Sequence, residues 1–347
     1  MASPSRERHL TGHFDALREK MALMRSFRSS SVVVIVLALA LLAAGCSKSD
    51  SPVVRSPTTP STTFSVEVAS SDLYIGAPQR VQLGLFQSSG QGVKLVTFGT
   101  VEFRFSPLGQ TASSAPPGPA LNATYLPAPG TPVGDAPTLS DPNTARGVYQ
   151  VEGVTFDHAG VWKVDVTADV AGVGSLALSA DFAVATKPAL PAPGQLALKT
   201  ANLTLSSKGV PQSAIDSRAL DGAPIPDPDL HRWTIADALA QHRPILVVFS
   251  TPTYCVSRFC GPSTDGVEQL ATRYAKKAVF IHVEIWRDFN KHQINKGAAD
   301  WLYRNGNLTE PWLFLIGARG RILDRWSPLF DMGEVAADLA KLPDMKP

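Results

Sequence analysis

Cysteine is scarce in this chain of 347 residues, which has three: Cys46, Cys255 and Cys260. So few cysteines exclude a disulfide-dense small domain and any zinc site built from four cysteines. An excess of one charge is also missing, because 32 Lys and Arg face 30 Asp and Glu, a formal net charge of +2. We therefore predict no nucleic-acid partner, since nucleic-acid-binding domains usually carry a strongly basic face.

The apolar run near the N-terminus is short. Residues 32–44 form an unbroken apolar stretch of 13 residues that follows two arginines and ends in Ala43-Ala44-Gly45-Cys46. A membrane span needs about 20 residues, so the pattern favours a signal peptide. Its end resembles the lipobox of bacterial lipoproteins, which implies that Cys46 is the lipidated first residue of the mature chain. The alternative is an uncleaved anchor helix in which Cys46 has no special role.

The lipobox resemblance implies a location. The mature protein would be extracytoplasmic and lipid-anchored to the outer face of the bacterial cell membrane, with the membrane itself as a partner. Such a compartment permits disulfides. Cys255 and Cys260 then remain as one close pair, which is predicted to be a disulfide or a redox couple.

Composition divides the rest of the chain into segments. A Ser/Thr/Pro-rich stretch without apolar periodicity predicts a flexible tether, and a Pro-punctuated stretch predicts a linker. The predicted organisation is a signal peptide (1–46), the tether (47–63), a β-sandwich domain (64–186), the linker (187–199) and a second domain (200–347).

The first predicted domain has the period of two that is typical of half-buried strands. Apolar and polar residues alternate at 81–85, 101–105 and 162–167. The stretch 106–147 is rich in Pro, Gly, Ala and Ser and is predicted to contain a long irregular loop. The segment Asp157–Trp162 resembles the turn before a late strand of immunoglobulin-like sandwiches. Because the domain has no cysteine pair, a disulfide-stapled immunoglobulin domain is excluded.

The second predicted domain alternates strands and helices. The buried strands predicted at 244–249 and 278–285 are continuous apolar runs or nearly so, and 312–316 with 321–326 predicts a hairpin. Helices are predicted after a capping signature at 234–237, over 262–276, over 298–304 and over 331–342. The order is β-α-β-α-β-β-α, an α/β arrangement.

Three motifs in that order resemble thioredoxin. The run from Phe249 to Cys255 leads from a buried strand to a cysteine, and Cys260-Gly261-Pro262 matches three residues of Cys-Gly-Pro-Cys. Glu310-Pro311 precedes the next strand, where thioredoxins place a cis-proline facing the active site. The resemblance is to the thioredoxin-like domain of bacterial extracytoplasmic lipoproteins. The resemblance implies a three-layer α/β fold in which Cys255, Cys260 and Pro311 are catalytic and no cofactor or metal is used. It also implies that the partners are protein thiols and disulfides, and that an unknown partner recycles the cysteine pair.

The spacing of the cysteines limits the local structure. Five residues along a straight helix would separate their Cα atoms by about 8–9 Å, beyond the ~7 Å limit for a disulfide. Cys255–Phe259 is therefore predicted not to be helical if the pair is bonded. Since proline is favoured at the first helical position, Pro262 predicts that both cysteines lie in the loop before the helix.

The motif departs from the thioredoxin pattern. The spacing is Cys-x4-Cys, and Ser263 follows Gly-Pro. Either Cys255 attacks and Cys260 resolves, which we favour from the distance to Phe249, or Cys260 attacks within Cys-Gly-Pro-Ser. The acid that thioredoxins bury before the terminal Phe of the strand is also missing, since Val248 stands there, which puts proton transfer in doubt.

Further residues are possible accessories of the pair. Tyr254, Pro262 and Ser263 adjoin the cysteines, and Arg258 between them either favours a thiolate or is simply solvated. His282 and Glu284 share one face of a strand. They are predicted to be a proton shuttle or metal ligands beside the cysteines, or else a hydrogen-bonded pair at the sheet surface.

Three functions are compatible with these patterns. The first is a membrane-tethered thiol–disulfide oxidoreductase that acts on extracytoplasmic proteins. The second is a redox-silent binding lipoprotein in which the disulfide is structural and the β-sandwich recognises the partner. The third is a copper chaperone, because two cysteines and His282 offer soft and borderline ligands.

Overall fold

A computed structural model describes residues 62–109 and 118–346. The predicted signal peptide, Cys46 and all but the last two residues of the predicted tether lie outside the described residues. Within the described ranges, none of the helices is long and apolar enough to span a membrane.

The first part of the described chain is a nine-stranded antiparallel sheet. The strands run in the order β6-β3-β2-β7-β5-β4-β8-β9, and β1 also pairs with β2. Their bounds are β1 (Thr63–Val68), β2 (Gln79–Ser89), β3 (Gly92–Thr97), β4 (Thr100–Pro107), β5 (Ala120–Pro127), β6 (Thr138–Ser140), β7 (Gly147–Val154), β8 (Gly160–Val170) and β9 (Gly174–Val184).

Alternation along each strand builds the core of this sheet. In β8, Trp162, Val164 and Val166 are buried while the residues between them are not. Buried residues of every strand except β6 form one apolar cluster, so the sheet curls around a single core. The all-β character predicted for 64–186 is confirmed.

The stretch 106–147, which is predicted to contain a long irregular loop, also contains two strands, β5 and β6. β5 places Ala123 and Tyr125 in the core and pairs with both β4 and β7. Its small and polar residues conceal the alternation, because Ala123 is a weak apolar signal in sequence although it is fully buried.

The second part of the described chain is a mixed four-stranded sheet in the order β11-β10-β16-β17, in which β10 is parallel to β11 and antiparallel to β16. Two small hairpins accompany it. The strands are β10 (Ile245–Ser250), β11 (Val279–Glu284), β12 (Trp286–Asp288), β13 (Gln293–Ile294), β14 (Tyr303–Arg304), β15 (Asn307–Leu308), β16 (Trp312–Ile316) and β17 (Ile322–Trp326).

Helices flank this sheet. They are α1 (Ile235–Ala240), α2 (Cys260–Tyr274), α3 (Lys296–Leu302) and α4 (Met332–Lys341), and three short 3-10 turns precede α1, at Gln212–Ala214, Ser217–Gly222 and Pro228–His231. Each strand and helix predicted between 234 and 342 is confirmed in order, with ends that shift by a few residues. The side chain of Thr234 caps α1 by accepting from the N–H of Asp237, as the capping signature predicts.

The strand β10 shows why a continuous apolar run is needed at the centre of the sheet. All six of its residues are buried. Ile245, Val247 and Phe249 belong to the core on one face, and Leu246 and Val248 to the core on the other. A strand covered on both faces therefore has no position at which a polar residue faces water.

Ion pairs and hydrogen bonds hold the second sheet against the first part of the described chain. The side chain of Arg80 on β2 forms ion pairs with Asp324 on β17 and with Glu334 on α4. The predicted linker residues also lie against β17, where the N–H of Gly194 donates to the carbonyl of Ile322 over 2.8 Å. Residues 60–347 form one compact unit, and the predicted boundaries within it stay predictions.

Candidate functional site

The two cysteines after β10 are bonded to each other. Their Cα atoms are 5.9 Å apart, within the range of a disulfide. Cys255 lies in the loop and Cys260 begins α2, so the prediction that Cys255–Phe259 is not helical is confirmed.

The prediction that both cysteines precede the helix is wrong for Cys260. Pro262 is the third residue of α2 rather than the first, and Phe259 is the N-cap. The first four N–H groups of a helix have no partner within it, so a proline anywhere in this turn costs no hydrogen bond. Pro262 therefore indicates the first turn but not the first residue.

The two sulfur atoms lie in different surroundings. Cys260 is fully buried, whereas Cys255 is half-buried. The N–H of Cys260 donates to the Sγ of Cys255 over 3.3 Å, and the Oγ of Ser257 lies 3.2 Å from the same sulfur. The N-terminus of a 15-residue helix thus faces Cys255. Backbone N–H groups and the helix dipole favour a thiolate there once the disulfide is reduced.

The predicted accessory residues of the loop have separate contacts. Tyr254 stacks on Phe289 with ring centroids 4.0 Å apart. Arg258 has a left-handed backbone with φ of 61°, and its guanidinium donates over 3.1 Å to the side chain of Asn143, which lies in the turn between β6 and β7 of the first sheet. The hydroxyl of Ser263 is buried and has no hydrogen-bond partner among the described residues. Arg258 therefore ties the disulfide loop to the first sheet.

Glu310 is the carboxylate beside the disulfide. One of its oxygens and both sulfur atoms lie within 4.8 Å of one another. It precedes Pro311 across a cis peptide bond, directly before β16. Its Oε2 is buried and has no hydrogen-bond partner in the described part of the chain. Burial and, to a lesser extent, the nearby Glu284 raise the pKa of Glu310 to about 7.

Sequence reasoning included Pro311 and missed Glu310. The signal was present, because an acidic residue directly precedes the proline in a chain that has Val248 where thioredoxins bury an acid. Nothing in the sequence alone says that this residue faces the sulfur atoms.

Glu284 is buried at the end of β11 and has its own partners. Its Oε2 accepts from the N–H of Ser217 over 2.8 Å, and its Oε1 accepts from the N–H of Trp286 over 3.1 Å. Burial raises the pKa of Glu284, against the opposing effect of His282 and these hydrogen bonds. Glu284 therefore holds backbone segments together and has both oxygens in use.

His282 is fully buried and does not lie with the cysteines. Its Nε2 is 2.9 Å from the Oγ of Ser250, and its Nδ1 is 3.4 Å from a carboxylate oxygen of Asp216. His282 and Glu284 are predicted either to lie beside the cysteines, as a proton shuttle or metal ligands, or to form a hydrogen-bonded pair at the sheet surface. Neither arrangement is seen, because both side chains are buried and form hydrogen bonds to different groups. The physical reason is that the turns before α1 cover this face of β11, which sequence periodicity does not reveal.

A buried charged cluster surrounds His282. Arg218 forms ion pairs with Asp216 and Asp227, and His231 lies 3.1 Å from Asp227. Burial would raise the pKa of Asp216, but hydrogen bonds from both histidines and Arg218 outweigh it and lower that pKa. Burial would likewise lower the pKa of His231, but its bonds to the two aspartates raise it.

This cluster has the composition of a metal site. Ligand atoms of Asp216, Asp227, His231 and His282 lie within 4.8 Å of one another. The guanidinium of Arg218, however, already forms ion pairs with both carboxylates. A divalent cation would have to displace it or bind beside its positive charge, so the cluster is best explained as a salt-bridged network that fixes the turns before α1.

Hydrogen bonds connect this network to the start of α2. The hydroxyl of Thr264 donates to the carbonyl of Cys260 over 2.8 Å, and its Oγ1 is 2.7 Å from the Oγ of Ser250. Ser250 in turn contacts His282. The helix end that carries Cys260 is thereby held to the centre of the sheet.

A cleft of about 1120 Å³ lies between the disulfide loop and the first sheet. The loop contributes the strongly exposed Val256, which is 94% exposed, together with Arg258 and Phe259. The opposite wall includes Phe86 and Leu95 of the first sheet, and Glu310 lines the cleft near the disulfide. The walls of the cleft therefore combine apolar side chains with charged ones.

No family model matches the chain, and neither a curated protein nor a solved structure is significantly similar to it.

Proposed function

We propose that this protein is a thiol–disulfide oxidoreductase that uses the Cys255–Cys260 pair on protein substrates. One observation carries the proposal: the more accessible sulfur, that of Cys255, faces the N-terminus of α2 and receives the N–H of Cys260. This is the environment in which a thiolate is favoured and can be reached by a partner. The deeply buried Cys260 then has the position of a resolving thiol.

The arrangement supports the first of the two predicted registers. An incoming thiolate or disulfide can approach the half-buried Cys255, while Cys260 is enclosed. In the reducing direction, the Cys255 thiolate attacks a substrate disulfide and releases one substrate thiolate. The Cys260 thiolate next attacks the Cys255 sulfur, which releases the second substrate thiolate and forms the Cys255–Cys260 disulfide.

The proposal includes a thioredoxin-like fold for the second part and an immunoglobulin-like sandwich for the first. The strand order β11-β10-β16-β17 and the cis peptide before β16 support the former. The curled antiparallel sheet supports the latter. The proposal also includes a lipid anchor at Cys46 and an extracytoplasmic location. The sequence around Cys46 supports the anchor, and the close disulfide is compatible with an oxidising compartment.

The test is to trap the mixed disulfide. In a full-length background with Cys46→Ala, the pair provides all remaining cysteines. We expect the Cys260→Ser variant to accumulate a mixed disulfide with a peptide disulfide through Cys255, detected as an added mass. The Cys255→Ser variant, whose remaining sulfur is buried, should accumulate at least tenfold less. Equal and negligible trapping by both variants would refute the proposal.

A redox-silent binding protein is the second candidate. The contact of Arg258 with Asn143 favours it, because it ties the disulfide loop to the first sheet as a structural staple would. The reduction potential separates the two functions. A value well below about −300 mV marks a structural disulfide, and a higher value marks an exchangeable one.

The geometry does not support a copper site. His282 lies with Asp216, and the metal-ligating side chain grouped with the two sulfur atoms among the described residues is the carboxylate of Glu310. A carboxylate is a hard ligand that suits Cu(I) poorly. We therefore do not extend the proposal to a copper chaperone.

A further inference from the structure

We infer that Glu310 is the proton acceptor and donor of the Cys255–Cys260 pair, and that it replaces the acid missing at Val248 with one supplied from the segment before β16. This inference rests on the proposed function and adds a catalytic residue to it. It would give the chain a means of proton transfer that its cysteine motif does not predict.

Position is the first argument. A carboxylate oxygen of Glu310 lies within 4.8 Å of both sulfur atoms. Catalytic hydrogen bonds are commonly longer in the absence of substrate and shorten when it binds. After reduction, the two sulfur atoms separate and one of them can approach the carboxylate.

The free oxygen is the second argument. Buried polar atoms are almost always hydrogen-bonded, so a buried oxygen without a partner needs an explanation. The Oε2 of Glu310 is such an atom among the described residues. By contrast, Glu284 accepts hydrogen bonds on both of its oxygens. Glu310 therefore keeps an oxygen available for a proton.

The electrostatic surroundings are the third argument. Burial and the charge of Glu284 raise the pKa of Glu310 to about 7, where it can both accept and donate a proton at neutral pH. Two cations, Arg146 and Arg258, and two further acids, Glu67 and Asp141, line the same cleft. Arg258 is engaged by Asn143.

The mixed disulfide joins Cys255 to one substrate sulfur, and Cys260 is a thiol. The carboxylate of Glu310 takes the proton of Cys260, whose thiolate attacks the Cys255 sulfur. The bond to the substrate breaks, and the substrate sulfur leaves as a thiolate that receives the proton from Glu310. The first substrate sulfur left as a thiolate when the mixed disulfide formed, and it takes up from solvent the equivalent of the proton that Cys255 had released. Over both steps the protein pair is oxidised and the substrate disulfide is reduced to two thiols, with no other reactant.

The experiment measures the two steps separately. Reduced full-length protein is mixed with a peptide disulfide between pH 5.5 and 9, and quenched samples are analysed for mixed and closed disulfide by mass. All proteins carry Cys46→Ala, so that Cys255 and Cys260 are their remaining cysteines. We compare the otherwise unsubstituted protein with Glu310→Gln and with Glu152→Gln, which removes an exposed acid of β7 that does not line the cleft. Glu310→Asp tests partial rescue by a shorter acid.

We expect closure of the disulfide to slow by about 100-fold in Glu310→Gln and to lose its dependence on an ionisation near pH 7. Formation of the mixed disulfide should change less than about threefold, and Glu152→Gln should behave like the unsubstituted protein. If Glu310→Gln closes at an unchanged rate with the same pH profile, the inference fails while the proposed function stands. If the unsubstituted protein forms neither a mixed nor a closed disulfide with the peptide, both fail.

Discussion

The substitution Glu310→Gln should make the oxidised protein more stable at alkaline pH. In the folded state, burial and Glu284 raise the pKa of Glu310 from 4.5 to about 7. The folded protein therefore holds a proton that the unfolded chain has lost between these two pH values. Because stability falls with pH wherever the folded state binds more protons, Glu310 destabilises the protein increasingly from pH 4.5 to 7.

The size of this effect follows from the same difference. At about 1.4 kcal/mol per pH unit, an ionised Glu310 costs the folded state about 3 kcal/mol above pH 7. Glutamine has nearly the shape of the protonated acid and carries no charge to bury. The variant should thus match the unsubstituted protein below pH 4.5 and exceed it by about 2–3 kcal/mol at pH 8.5.

Urea unfolding of the oxidised proteins, followed by tryptophan fluorescence from pH 4 to 8.5, measures the difference. Glu67→Gln is the matched control, because Glu67 is an exposed acid of the same cleft and its replacement should change stability by less than about 0.5 kcal/mol. A difference between Glu310→Gln and the unsubstituted protein that stays constant across this range would refute the reasoning. So would a less stable variant at pH 8.5.

Two other substitutions test the contacts that hold the second sheet. Arg80→Ala should lower the free energy of unfolding, measured by urea unfolding at pH 7, by about 2–3 kcal/mol. The reason is that Asp324 and Glu334 would face each other without a cation. Arg80→Lys should recover part of the loss. Asp216→Asn should cost about 3–5 kcal/mol at pH 7, since Arg218 loses a buried anion. Burial alone would raise the pKa of Asp216, but hydrogen bonds from its two histidine neighbours and Arg218 lower it, so its stabilising effect is present above about pH 4 and declines below it. The variant should therefore lose less stability than the unsubstituted protein between pH 6 and pH 3, and an equal loss would contradict this.

The sequence predicts those parts of the fold in which periodicity and burial coincide. Apolar residues alternate with polar ones along β8 and are continuous along β10. The sequence therefore predicts that both segments are strands, and that β8 is buried on one face and β10 on both. The short spacing of Cys255 and Cys260 likewise predicts that the loop between them is not helical if the pair is bonded, and the structure has such a loop. Local patterns of this kind need no knowledge of distant contacts.

Other features depend on contacts between residues far apart in sequence. Arg218 meets Asp265, and Glu310 meets Cys255 and Cys260, across separations that no periodicity encodes. The network of Asp216 also lies in irregular turns, where neither helical nor strand spacing applies. The position of the Glu310 carboxylate beside the disulfide becomes known only when β16, which directly follows Glu310 and Pro311, has its place in the sheet.

Gln82 limits how far the two parts of this molecule could be exchanged as modules. Its side-chain amide donates to the carbonyl of Leu329 over 2.8 Å and accepts from the N–H of the same residue over 3.2 Å, as a neighbouring strand would. A chain cut near residue 199 would leave the fully buried Leu329 exposed and its backbone groups without these partners. Grafting the disulfide-bearing half onto an unrelated β domain would therefore require an amide at the equivalent place.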